Sequence, residues 1–77
     1  MNEELKSYGY YLENKDELRD LFLEIRLNNP KSMNSIAKIL GMHTKTITKF
    51  SDNDGITFNY NIAKFYKFVK SNQRFID

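Results

Sequence analysis

MNSIAKILGMHTKTITKFSD, residues 33 to 52, decides the fold of this chain. Ser32 stands where a helix N-cap is needed, because its hydroxyl can accept from a free backbone N–H of the first turn. Met33, Ile36, Ala37 and Leu40 then fall on one helical face, with Ile39 beside them. Gly41 ends that helix, since glycine tolerates the left-handed geometry of a helix terminus. A second short helix opens at His43 or Thr44. Ile47 and Phe50 point one way from it, while Thr44, Lys45, Thr48 and Lys49 form a contiguous arc on the other side. For two helices to cross at a wide angle over so short a link, a small residue must sit where the backbones approach, and Ala37 does. A glycine must make the turn, and Gly41 follows four residues later. Apolar residues must hold the second helix down, and Ile47 and Phe50 stand six and nine residues beyond the glycine. Ile36, Leu40 and Met42 fill the remaining core-facing positions.

Upstream, a helix is expected over 14–29. Asn14 can cap it, and Glu17 three residues later completes a capping-box-like pair. Leu18, Leu21, Phe22 and Ile25 recur at helical spacing; Glu17, Asp20 and Glu24 share a different face. Leu23 and Leu27 form a second apolar spot, roughly opposite the first. Asn28-Asn29-Pro30 ends the helix, because the residue before proline avoids helical geometry. Residues 1–13 lack a clean period and read as an N-terminal arm, a short helical turn followed by extended chain, with Gly9 interrupting any helix in it.

Downstream, Ser51-Asp52-Asn53-Asp54-Gly55 is a strong turn signal. Ile56–Tyr60 reads two ways, as a short strand or wing, or as the lead-in to a helix capped by Asn59 or Asn61. A C-terminal helix follows over 59–72, with Ile62, Phe65, Tyr66 and Val69 on one face and Phe68 at its edge. Lys64, Lys67 and Lys70 fall opposite and read as a solvated face. Phe75 and Ile76 in the tail either pack or stay loose. The expectation is a single all-α domain over 1–77, a small bundle of about four helices.

Size and composition bound the function. A chain of 77 residues buries only about 60% of its unfolded surface and cannot build a deep substrate pocket beside a sound core. With no cysteine and one histidine, disulfide scaffolds, thiolate zinc sites and cysteine nucleophiles are excluded, and no metal is expected. No stretch approaches the roughly 20 apolar residues of a membrane span, so a cytoplasmic protein is expected. Eleven aromatics among 40% hydrophobic residues favour folding over disorder. Asp52, Asp54 and Gly55 lack the spaced acids and closing glutamate of a calcium loop. Neither a catalytic constellation nor a phosphate-cradling glycine loop is present, so an enzyme is not expected and neither is a cofactor. The net charge of +2 hides an asymmetry. Residues 1–29 carry 4 basic and 7 acidic side chains, and residues 30–77 carry 8 and 3. Lys31 to Phe50 hold four lysines and no acid. Such asymmetry points to an anionic partner on one side or, more plainly, to a solvated lysine face.

The 20-residue stretch quoted above resembles the helix-turn-helix of small bacterial and phage DNA-binding regulators. Phe50 stands where that family often has an aliphatic residue or tryptophan. The resemblance implies a helix-turn-helix over 32–51 whose recognition helix, about 43–51, lies in the major groove with its N-terminal residues at base edges. The residues it places at the groove are His43, Thr44, Lys45, Thr48 and Lys49. Lysine can donate to guanine, and threonine can donate, accept or touch the thymine methyl. His43 reads equally as a turn or cap residue. Lys31, Ser32 and Asn34, at the N-terminus of the first motif helix, suit a phosphate; Lys38 reads as plain surface. The implied function is sequence-specific binding of double-stranded DNA, as a transcriptional regulator or repressor of phage or mobile-element type. Its acidic first helix would face away from DNA. A homodimer is expected through Leu23/Leu27, unless the N-terminal tyrosines cover them, or through the aromatic face of the C-terminal helix. Two other readings remain. A small phage-type protein could bind and inhibit a host protein through its Leu23/Leu27 spot and acidic face, or the domain could serve as a DNA-packaging or recombination accessory.

Overall fold

In the computed structural model, which describes residues 5–76, the chain is all-helical. The described residues form five α-helices and a closing 3-10 turn, and no strand. They are α1 (Tyr8–Glu13), α2 (Lys15–Asn28), α3 (Met33–Leu40), α4 (Thr44–Ser51) and α5 (Asn59–Ser71), with the turn at Gln73–Phe75. No described helix is long and apolar enough to cross a membrane.

The helix of the N-terminal arm lies at Tyr8–Glu13, where extended chain was expected after a short helical turn; its first four residues lie outside the described ones. α1 runs through Gly9. Ser7 caps it, accepting from the Tyr10 N–H at 3.2 Å. Tyr8 and Tyr11 each set a ring 5.8 Å from that of Tyr66 on α5. The Tyr66 hydroxyl donates to the Lys6 carbonyl at 3.0 Å and the Tyr8 hydroxyl to the Asn59 carbonyl at 3.1 Å. Glycine in a helix interior costs about 1 kcal/mol relative to alanine; this packing onto α5 outweighs it.

α2 begins after Asn14 as expected, but its capping box does not form. Asn14 spends its side-chain amide on the Tyr10 carbonyl at 2.9 Å, closing the end of α1. Glu17 turns outward to accept from the Tyr10 hydroxyl. That hydrogen bond, followed by desolvation and the nearby Glu17 charge, raises the Tyr10 pKa above the usual phenol range. Leu18, Phe22 and Ile25 are buried, as the periodicity predicts.

Phe22 is the hub of the core. Its ring lies 5.0 Å from Phe65, 5.5 Å from Phe68 and 5.9 Å from Phe50, each edge-on. Phe50 stacks on Phe65 at 4.0 Å. Three helices thus meet through four phenyl rings, each pair adding to the gain from burial alone. The tail packs: Ile76 is buried, and the Asn28 amide holds the Phe75 carbonyl at 2.7 Å.

Phe65, Phe68 and Val69 of the aromatic arc on the C-terminal helix are all in this core, and Tyr66 is half-buried. Leu27 remains 79% exposed and Leu23 38%; the tyrosines of α1 pack toward α5 rather than over them. Between α4 and α5, residues 56–58 form neither helix nor strand, with Phe58 in the extended region. α5 starts at Asn59 with Phe58 in the cap position, and no side chain supplies the cap bond.

Candidate nucleic-acid interface

The eight-residue helices α3 and α4 are joined by Gly41, Met42 and His43 alone. Ser32 caps α3 as its sequence predicts, accepting from the Ser35 N–H at 3.1 Å. At the other end Gly41 adopts φ 68° and ψ 40°, the left-handed region, and the N–H groups of Gly41 and Met42 both donate to the Ala37 carbonyl. The sharp reversal thus gives the Ala37 carbonyl two donors at the helix end. Lys64 of α5 adds a third tie, its ammonium donating to the Gly41 carbonyl at 3.0 Å. Lys64 is therefore a brace for the turn, not the solvated residue its position on α5 suggested; Lys67 and Lys70 are exposed as expected.

His43 is the N-cap of α4. Its Nδ1 accepts from the Lys45 N–H at 3.1 Å, so the neutral ring carries its proton on Nε2, which can donate. The cap reading of His43 holds, and its exposed ring keeps the second nitrogen for a partner. Ile47 and Phe50 are fully buried and fix the rotation of α4 about its axis. Lys45, Thr48 and Lys49 are consequently exposed, and Thr44 is half-buried.

Arg19 of α2 locks the far end of α4. Its Nε donates to the Phe50 carbonyl at 2.7 Å and its second terminal nitrogen to the Asn53 side-chain oxygen at 3.0 Å. A paired Asp16 orients the guanidinium, which also lies over the Phe50 ring. A cation at the last carbonyls also suits the dipole of α4. Neither Arg19 nor Lys64 carries a local sequence signal, because their partners lie 31 and 23 residues away.

Lys31, Ser32 and Asn34 are exposed at the start of α3. A shallow depression joins the two helices, with Asn34, Lys38 and His43 around Ala37 and Gly41. The structure therefore brings Asn34 and His43 to one surface and adds Lys38 to it. Lys45, Thr48 and Lys49 continue along the outer face of α4. Neither α3 nor α4 has an acid in its first turn, whereas α2 has Asp16 and Glu17 there. The positive ends of α3 and α4 are left without side-chain neutralisation, and Lys31 and Lys45 add charge of the same sign. Comparison with known proteins finds no family model that matches the chain, no matching curated protein and no matching solved structure.

Proposed function

We propose that this chain binds double-stranded DNA in a sequence-selective way, as a small regulator of phage or mobile-element type, with α4 in the major groove. One observation carries the reading: α4 is anchored by its buried Ile47 and Phe50 and by Arg19 on the Phe50 carbonyl, while its outer side offers Lys45, Thr48 and Lys49 without an acid. A lysine at the second position of a helix is electrostatically unfavourable in isolation. It becomes favourable when an anion meets that end, as a phosphate backbone would. In this reading His43, Thr44, Lys45, Thr48 and Lys49 face base edges and the near phosphates. Lys31, Ser32 and Asn34 present the N-terminus of α3 to the backbone. Lys64 and Arg19 position α4 and touch no nucleic acid.

The test is binding to mixed genomic duplexes at two salt concentrations, for the native chain and for Lys45→Ala with Lys49→Ala. Selective enrichment of a short, palindromic site by the native chain is expected. The double variant should lose affinity and show a shallower salt dependence, by roughly one unit of log–log slope per phosphate contact removed. Weak, sequence-blind binding that the substitutions leave unchanged would move the function to a protein partner. The 79% exposure of Leu27 beside Leu23 favours that second reading, since these leucines crown the acidic helix. A DNA-packaging or recombination accessory would bind duplexes with the same lysines but without selecting a site.

A further inference from the structure

The segment between α4 and α5 is the most apolar exposed surface among the described residues. Ile56 is 85% exposed, Tyr60 66% and Phe58 59%. The Phe58 and Tyr60 rings lie 5.8 Å apart and nearly parallel, at 5°. The segment is held in place: Lys15 donates to the Thr57 carbonyl at 3.1 Å, and Tyr8 to that of Asn59. Large exposed apolar groups gathered on one braced lobe mark a binding surface more often than chance. DNA is a poor occupant. Asp52 and Asp54 are exposed at the root of the lobe, and no lysine or arginine lies between Ser51 and Ala63. Lys15 brings its ammonium to the Thr57 carbonyl, which offsets part of the charge of these two aspartates.

A surface of opposite character lies between α3 and α5. A cleft of about 370 Å³ is floored by Ile39, Leu40 and Phe68 and flanked by Lys64 and Lys67, with no acid in its lining. Ile39 is 56% exposed at its rim. On α5, Tyr60, Lys64, Lys67 and Ser71 follow one another at spacings of four, three and four residues, which places them on one helical face. Tyr60, at the end of the lobe, therefore lies on the same side of α5 as the cleft, about 10 Å from Lys67 at 1.5 Å of rise per residue.

We propose that the acidic–aromatic lobe of one copy (Asp52, Asp54, Ile56, Phe58, Tyr60) seats in the basic–apolar cleft of a second copy, and reciprocally, closing a symmetric dimer. A two-fold pair requires each copy to carry both halves of the contact on one side, and this chain does. Aspartates at the root of the incoming lobe meet Lys67 at the rim of the cleft. Lys64 is drawn toward its own Gly41 carbonyl, which lessens the like-charge crowding where the two α5 helices come closest. The pairing uses none of the residues assigned to DNA and stands apart from that reading.

Sedimentation velocity without DNA, from micromolar to millimolar protein, tests the pairing. The native chain should pass from monomer to dimer and stop there. Phe58→Ser with Tyr60→Ser should stay monomeric at concentrations where the native chain pairs, with unchanged helical circular dichroism, because both side chains are exposed. Lys67→Glu alone and Asp52→Lys with Asp54→Lys should each be monomeric. Mixed in equal amounts, the two variants should pair, since every contact across that dimer joins opposite charges. A native chain monomeric throughout, masses that grow past the dimer, or charge variants that ignore each other on mixing would overturn the proposal.

Discussion

α2 and α4 press phenyl rings against each other across the core, Phe22 and Phe50 at 5.9 Å; each has a basic residue in its last turn, Arg26 and Lys49, yet their first turns carry opposite charge. α2 follows the stabilising pattern, with Asp16 and Glu17 in its first turn and Arg26 in its last. Its outward side carries leucine and acids. α4 has Lys45 in its first turn and no acid there. Its cap is a histidine, and its outward side carries lysine and threonine. α1, α3 and α5 likewise have no acid in the first turn, so among these helices α2 is the exception. α2 does the holding, through Phe22 and Arg19, and α4 is what it holds.

That division of labour is broken most severely at the shared ring contact. Phe50→Ala removes the ring that stacks on Phe65 and meets Phe22, and the expected loss is about 3–5 kcal/mol. Urea denaturation should show a midpoint near zero denaturant or no folded baseline, because a domain of this size has only about 5 kcal/mol or slightly more to lose. Arg19→Ala comes next. It strips a charged donor from the Phe50 carbonyl and from Asn53, for an expected cost of about 1.5–3 kcal/mol. Arg19→Lys should recover only part of that, since a single ammonium cannot span the Phe50 carbonyl, Asn53 and Asp16 as the guanidinium fork does. A thermal melt of Arg19→Ala indistinguishable from the native one would show that α4 is set by its own packing and owes nothing to α2.

The contrast also explains what could be read from the sequence. α3, its turn and α4 were legible because their determinants are local. Ser32 caps its own helix, Gly41 makes its own turn, and Ile47 and Phe50 repeat at the helical period. The burial of Leu18, Phe22 and Ile25 was legible for the same reason. α1 was not, because Gly9 argues against a helix locally while the favourable term comes from Tyr66, far along the chain. Nor was the fate of Asn14, where two helix ends compete for one amide and the end of α1 wins. At the candidate interface the outward lysines followed from periodicity. The groups that position them, Arg19 and Lys64, act on backbone carbonyls of distant residues, and no spacing rule within a helix points to a carbonyl elsewhere. The aromatic face of α5 looked surplus because a sequence shows how many apolar groups exist, not how many neighbours surround them.

The smallest expected effects give the cleanest test of the local-versus-distant distinction, because one substitution should change sign between the two regions. Gly41 and Gly9 each have open space around an added methyl group, so steric contact drops out and only the backbone decides. Gly41 sits at φ 68°, where an L-residue costs about 1–2 kcal/mol. Gly41→Ala should destabilise by that amount and loosen the joint between α3 and α4. Gly9 is helical and exposed, without a positive φ. There alanine narrows the unfolded ensemble and improves helix propensity, for a gain of about 0.4–1 kcal/mol. Parallel denaturant titrations of the two variants suffice. If Gly9→Ala also destabilises, α1 does not persist as a helix in solution and the tyrosine contacts with α5 are what hold that segment. If Gly41→Ala is neutral, the turn tolerates another geometry and the fixed presentation of Lys45, Thr48 and Lys49 is lost as an argument for base reading. Opposite signs would show that the turn and the first helix are each as locally determined as their backbone angles require.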